Sequence, residues 1–66
     1  MIPKYVKIQL LDRNMQPVCM QRNARIENYT EEVLRIRNTE YPEAYFFKMS
    51  FGVGGMPPRI IDDLIR

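Results

Sequence analysis

The sequence predicts an α+β fold: a small antiparallel sheet of three to four strands, a C-terminal helix packed on one face, and room for a short central helix. Three observations predict it. Residues 4 to 11, KYVKIQLL, alternate Val6, Ile8 and Leu10 against Tyr5, Lys7 and Gln9, the period of a half-buried strand. Residues 44 to 51, AYFFKMSF, put Tyr45, Phe47, Met49 and Phe51 on one face, a second strand rich in rings whose odd positions face a core. The last stretch, PRIIDDLIR, gathers Ile60, Ile61, Leu64 and Ile65 on one helical stripe, with Arg59, Asp62, Asp63 and Arg66 opposite.

The elements follow in order. Leu11 breaks the polar side of the first strand, and DRNMQ supplies the turn residues Asp12 and Asn14. Pro17 cannot donate to a ladder and therefore opens the next strand or lies on an edge, after which Val18 and Met20 resume the alternation. The pair reads as a hairpin joined by about five residues. NYTEEVLRIRN reads as a helix, with Asn28 or Thr30 at the N-cap, Glu31 and Glu32 in the first turn, Arg35 and Arg37 in the last, and Asn38 as the stop. Glu31 and Arg35 stand i,i+4 in the favourable order. A strand over residues 29 to 38, with Leu34 and Ile36 facing inwards, is the competing reading. Pro42 makes the next stretch a loop. Gly52, Gly54 and Gly55 turn a corner, and Pro58 suits the first turn of a terminal helix. A helix of about nine residues is unstable alone, so it must dock its stripe.

Sixty-six residues make a single compact domain, 1–66, with little stability to spare. Nothing obvious staples it. Cys19 is the only cysteine and there is no histidine, which excludes an intrachain disulfide and a zinc knuckle. Such domains often gain missing burial from a partner or a second copy. A net charge of +2, with ten basic and eight acidic residues interleaved, is too small to read as a nucleic-acid signature on its own. No apolar run can span a bilayer and residues 1 to 12 lack the core of a signal peptide, so a cytoplasmic location is expected, consistent with an unpaired thiol.

Candidate chemistry is sparse. Gly52 to Gly55 spell the G-x-x-G of the KH module, but that loop joins two helices and here the glycines follow a strand. A P-loop would continue into lysine and a hydroxyl; this segment runs into Met56 and two prolines. A flexible corner is the preferred reading. Without histidine the usual proton shuttle is missing and Cys19 has no imidazole to ionise it. The adjacent acids Glu31 and Glu32, and Asp62 and Asp63, point about 100° apart on a helix and are better explained by the helix dipole. No enzyme, metal, cofactor or small-molecule substrate is expected.

What remains is surface. If a helix covers the apolar face of the sheet, the opposite face carries Tyr5, Lys7, Phe46 and Lys48, with Arg22 nearby. Rings and cations would then share an uncovered surface, against the plainer reading of isolated surface aromatics. Met15 in a turn and Met56 beside prolines are candidate anchors for a partner, while Met20 and Met49 read as core filling. The expected function is a non-enzymatic interaction module that binds or inhibits a protein partner or self-associates, of a size common among accessory proteins of phages and mobile elements. The alternative is a single-stranded DNA or RNA binder using the aromatic and basic face. Its mark would be a steep dependence on salt.

Overall fold

The computed structural model describes residues 4–50 and 58–64. Four strands form one antiparallel sheet in the order β2-β1-β3-β4: β1 (Tyr5–Leu11), β2 (Arg22–Arg25), β3 (Phe46–Ser50) and β4 (Arg59–Ile60). The helix α1 (Tyr29–Thr39) carries the chain from β2 over to β3, on the other side of β1. A 3-10 turn, Ile61–Leu64, follows β4. The architecture is therefore α+β with a four-stranded antiparallel sheet, as the alternation in the sequence predicts.

One face of the sheet is the core. The register sets Val6 opposite Ala24, Ile8 opposite Met49 and Leu10 opposite Phe47, and all six are buried together with Val33 and Ile36 of α1 and Ile61 of the 3-10 turn. Antiparallel partners share a face, so this register aligns the apolar positions of three strands beneath one helix. The spacing of Val33 and Ile36, with half-buried Tyr29 behind them, is the i, i+4, i+7 stripe of an amphipathic helix. The helical reading of residues 29 to 38 is the correct one because this stripe matches a sheet face and the first turn carries Glu31 and Glu32. Asn28 occupies the N-cap position without a side-chain capping bond, and the ion pair on the helix surface joins Arg35 to Glu32 rather than to Glu31.

Three expectations change. The connection between β1 and β2 is longer than five residues. A tight turn does form over residues 12–16, with the Met15 amide donating to the Asp12 carbonyl at 3.0 Å and the Asp12 Oδ1 accepting from the amides of Asn14 and Gln16. Leu11 then pairs briefly with Pro17. From Ile8↔Arg22 to Leu11↔Pro17, β1 advances three residues and the other strand five, so two extra residues bulge from the ladder after Val18, whose amide still donates to the Leu10 carbonyl at 3.0 Å. Met20 is consequently 85% exposed instead of filling the core. The C-terminal stripe also takes a different form: Arg59 and Ile60 pair with β3, and the helical part is the single turn Ile61–Leu64, packed on the same face as α1 through Ile61. Pro58 thus precedes a strand, whose N-H bonds begin after it. Gly52 to Gly55, Phe51, Met56, Pro57 and Ile65 lie outside the described residues.

Met15 adopts φ 64°, the left-handed region in which a Cβ costs roughly 1–2 kcal/mol. Glycine has no such penalty, though it loses more backbone entropy on folding. Met15→Gly is expected to stabilise the protein by about 0.5–1 kcal/mol, read from the midpoint of a urea melt, and Met15→Val to destabilise it.

Arg22 lies on the helix-covered side of β2, opposite Ile8, and reaches the end of α1. Its guanidinium donates to both carboxylate oxygens of Glu40, at 2.9 and 3.2 Å. That hydrogen bonding holds the Glu40 carboxyl below its ordinary range, and Arg35 does the same for Glu32. A carboxyl with a lowered folded-state pKa adds stability above its unfolded pKa and loses it as pH falls through the folded one. Stability should therefore decline in acid from about pH 4.5 downwards, and Glu40→Gln should flatten part of that decline in denaturant melts recorded against pH. Both partners are more than one third exposed, so the effect is modest.

Candidate nucleic-acid interface

The side of the sheet away from α1 is built by the alternate strand positions. Tyr5, Lys7, Gln9 and Leu11 come from β1, Asn23 and Arg25 from β2, Phe46, Lys48 and Ser50 from β3, and Ile60 from β4. Cross-strand pairing divides this surface in two. At one end Leu11 faces Phe46, which in turn faces Ile60. Leu11 is 1% exposed yet lies apart from the main core cluster. Leu11 breaks the alternation of β1 because it forms a second, small apolar centre here, where Phe46 also meets the ring of Tyr45 edge-on at 4.8 Å.

The other end is polar and cationic. Lys7 faces Asn23 on one neighbour and Ser50 on the other, and Gln9 faces Lys48. Lys7 and Lys48 are diagonal neighbours, roughly 7–8 Å apart at the backbone. Both are exposed, and among the described residues neither makes an ion pair. Between them lies an open hollow of about 250 Å³ lined by Lys7, Gln9, Gln21, Lys48 and Ser50 together with Ile8 and Met49 of the intervening strand positions. The Gln9 Nε2 donates to the Cys19 carbonyl of the bulge at 2.9 Å, which leaves its Oε1 turned to accept. Tyr5 is 53% exposed and the Arg25 guanidinium lies 6.0 Å from its ring centroid, within cation–π range. Arg25 also meets Glu27 at 3.4 Å, a largely exposed pair of little strength.

Apart from Glu27, which meets Arg25 from just past the end of β2, the carboxylates lie elsewhere. None occupies a strand position of this face. Glu31, Glu32 and Glu40 belong to α1 and its end, and Asp62 and Asp63 to the 3-10 turn beside it. A second hollow, between the β1–β2 turn and the α1–β3 loop, has two arginines, Arg13 and Arg37, balanced by Asp12 and Glu43.

Of the residues that the sequence marks as candidates, the structure brings Tyr5, Lys7 and Lys48 onto one surface. Phe46 shares the face but joins the apolar end, half-buried. Arg22 does not belong to it: the bulge sets its register so that it points to the helix side. Met15, 39% exposed, stands at the tip of the turn beyond the end of the sheet, and Met56 lies outside the described residues. Gln9 follows Tyr5 and Lys7 on the polar side of the first strand, as the alternation predicts, whereas Asn23 and Arg25 are the members that sequence reasoning missed. Their signal was present in RNAR, where Ala24 between polar neighbours marks a one-sided strand. Among the described residues no helix is long and apolar enough to cross a membrane, and no three cysteine or carboxylate side chains are grouped as metal ligands. Comparison with family models, with curated proteins and with solved structures finds no match.

Proposed function

We propose that this protein is a non-enzymatic interaction module and that its partner sits on the uncovered face of the sheet. The observation that carries the reading is the sorting of charge by the fold. Lys7, Arg25 and Lys48 stand on a face whose strand positions hold no carboxylate, while five of the acids lie in the helix layer, where Arg22, Arg35 and Arg37 each meet one of them. The chain's net charge of +2 hides that asymmetry. Lys7 and Lys48, which make no ion pair among the described residues, and Arg25, whose only pair among them is with exposed Glu27, attract an anionic partner to this shallow, partly recessed surface. A second copy is a poor occupant. A twofold contact through this face would set lysines against lysines, and like charges placed opposite each other are destabilising.

The non-catalytic part of the reading is supported by the absence of histidine from the chain. A cytoplasmic site of action goes with it, supported by the lone thiol of Cys19. Titrating isotope-labelled protein at low salt with a panel of polyanions, namely polyglutamate, heparin and single- and double-stranded oligonucleotides, tests the proposal. At least one of them should shift the amide resonances of β1, β2 and β3 and leave α1 unmoved. Shifts confined to α1, or none with any polyanion, would overturn it.

A further inference from the structure

Resting on that reading, we infer that the anionic partner is a single-stranded nucleic acid, with Lys7 and Lys48 holding phosphates and Tyr5 stacking a base. The composition of the face decides against an acidic protein. A stable protein contact is organised around a desolvated apolar centre in which lysine is depleted. Here the middle of the surface is Lys7, Gln9, Lys48 and Ser50, and the apolar end is already partly covered, with Leu11 buried and Phe46 and Ile60 half-buried. What projects is one ring, Tyr5, with a guanidinium beside it. An aromatic platform flanked by cations is how sequence-tolerant binders hold single strands, the ring taking the base and the cations the backbone.

The hollow adds the remaining groups. Its amides, Gln9 and Gln21, offer donors and acceptors suited to the edge of an unpaired base, within a side chain's reach of Lys7 and Lys48. The surface is also the wrong shape for a duplex. A major groove admits a projecting helix or β-ribbon, whereas these side chains lie on the face of a four-stranded sheet, against which splayed bases can lie flat. Both lysines and Tyr5 are solvent-exposed, so replacing them removes charge or ring without opening the core.

The test is fluorescence anisotropy of a labelled oligothymidylate and its oligouridylate counterpart with the full chain, at about 50 and 200 mM salt. If Lys7, Lys48 and Arg25 each displace a counterion from the strand, affinity should fall about 20-fold between those two salts. Lys7→Glu with Lys48→Glu should abolish binding. The milder Lys7→Gln with Lys48→Gln should weaken it and reduce the salt-dependent fall to about threefold. Tyr5→Ala should weaken binding about 5- to 150-fold and Tyr5→Phe should restore most of it. Circular dichroism melts would show whether each variant retains the fold. Lack of oligonucleotide binding at about 50 mM salt, binding unchanged by the charge-reversed pair, or a duplex bound as tightly as the single strand would each overturn the inference. Polyglutamate shifting the β1–β3 amides while oligonucleotides do not would also overturn it, and would leave the face as the contact surface for an acidic protein.

Discussion

Phe47→Ala should abolish the cooperative thermal transition at neutral pH and collapse the dispersion of the amide spectrum. Phe47 is 0% exposed, opposite Leu10 at the centre of the sheet and within the cluster that Val33 and Ile36 close from above. Truncating a buried phenylalanine costs about 3–5 kcal/mol, through lost transfer free energy and the cavity left behind. A domain of this length commands roughly 3–10 kcal/mol in total, so one such change consumes most of it. Phe46→Ala is the companion measurement. Phe46 is half-buried on the opposite face, and its loss should cost less than about 2 kcal/mol. A one-residue slip in register would exchange the two faces of β3. If Phe46→Ala proved the more damaging variant, the core face assigned here would be inverted, and the cationic surface would be buried.

Ile61→Ala should cost about 2–4 kcal/mol and loosen the C-terminal segment ahead of the rest. Ile61 is 1% exposed and packs in the same cluster as α1, and its amide donates to the Tyr45 carbonyl at 3.0 Å. It therefore joins the 3-10 turn to both the helix layer and the start of β3. The neighbouring Asp62→Ala and Asp63→Ala, at exposed positions, should stay within about 0.5 kcal/mol of the parent. Hydrogen exchange should show the Ile61 amide opening at lower free energy in Ile61→Ala while the β1 amides keep their protection. Equal stability for Ile61→Ala and the parent would mean that the terminal turn contributes nothing to the fold.

The legible parts of the molecule are those where a local period meets a single buried face. Val6, Ile8 and Leu10 alternate because β1 lies at the interior of the sheet with one face covered, and Phe47 and Met49 alternate for the same reason. α1 was legible from its acidic first turn and basic last turn, whereas the match of the Tyr29, Val33 and Ile36 stripe to the sheet face is what decides against the competing strand. The hairpin was not. Pro17, Val18 and Met20 continue an alternation, yet the two extra residues that leave the ladder after Val18 are a property of how Arg22 and Ala24 seat against β1, which involves residues far apart in the chain. Met20 and Arg22 were both misplaced by that one bulge. The terminal stripe of Ile60, Ile61 and Leu64 fits a helix and also fits a short strand followed by one turn. An available edge on β3 decides between them, because pairing Ile60 with Phe46 satisfies backbone groups that an isolated short helix would leave at its ends.

Composition and periodicity alone determined the class of fold, the face of each long strand that is buried, and the absence of histidine and of a second cysteine, since each of these depends on residue type and spacing along the chain. The candidate surface was decided only in three dimensions. Acids and bases alternate almost evenly through the sequence, but the helix layer gathers five acids against Arg22, Arg35 and Arg37, while the pleat of the strands presents Lys7, Arg25 and Lys48 on the far side. Charge segregation of this kind arises from topology, which brings Tyr5, Lys7, Arg25 and Lys48 onto one surface from three strands, and no window along the chain contains all four.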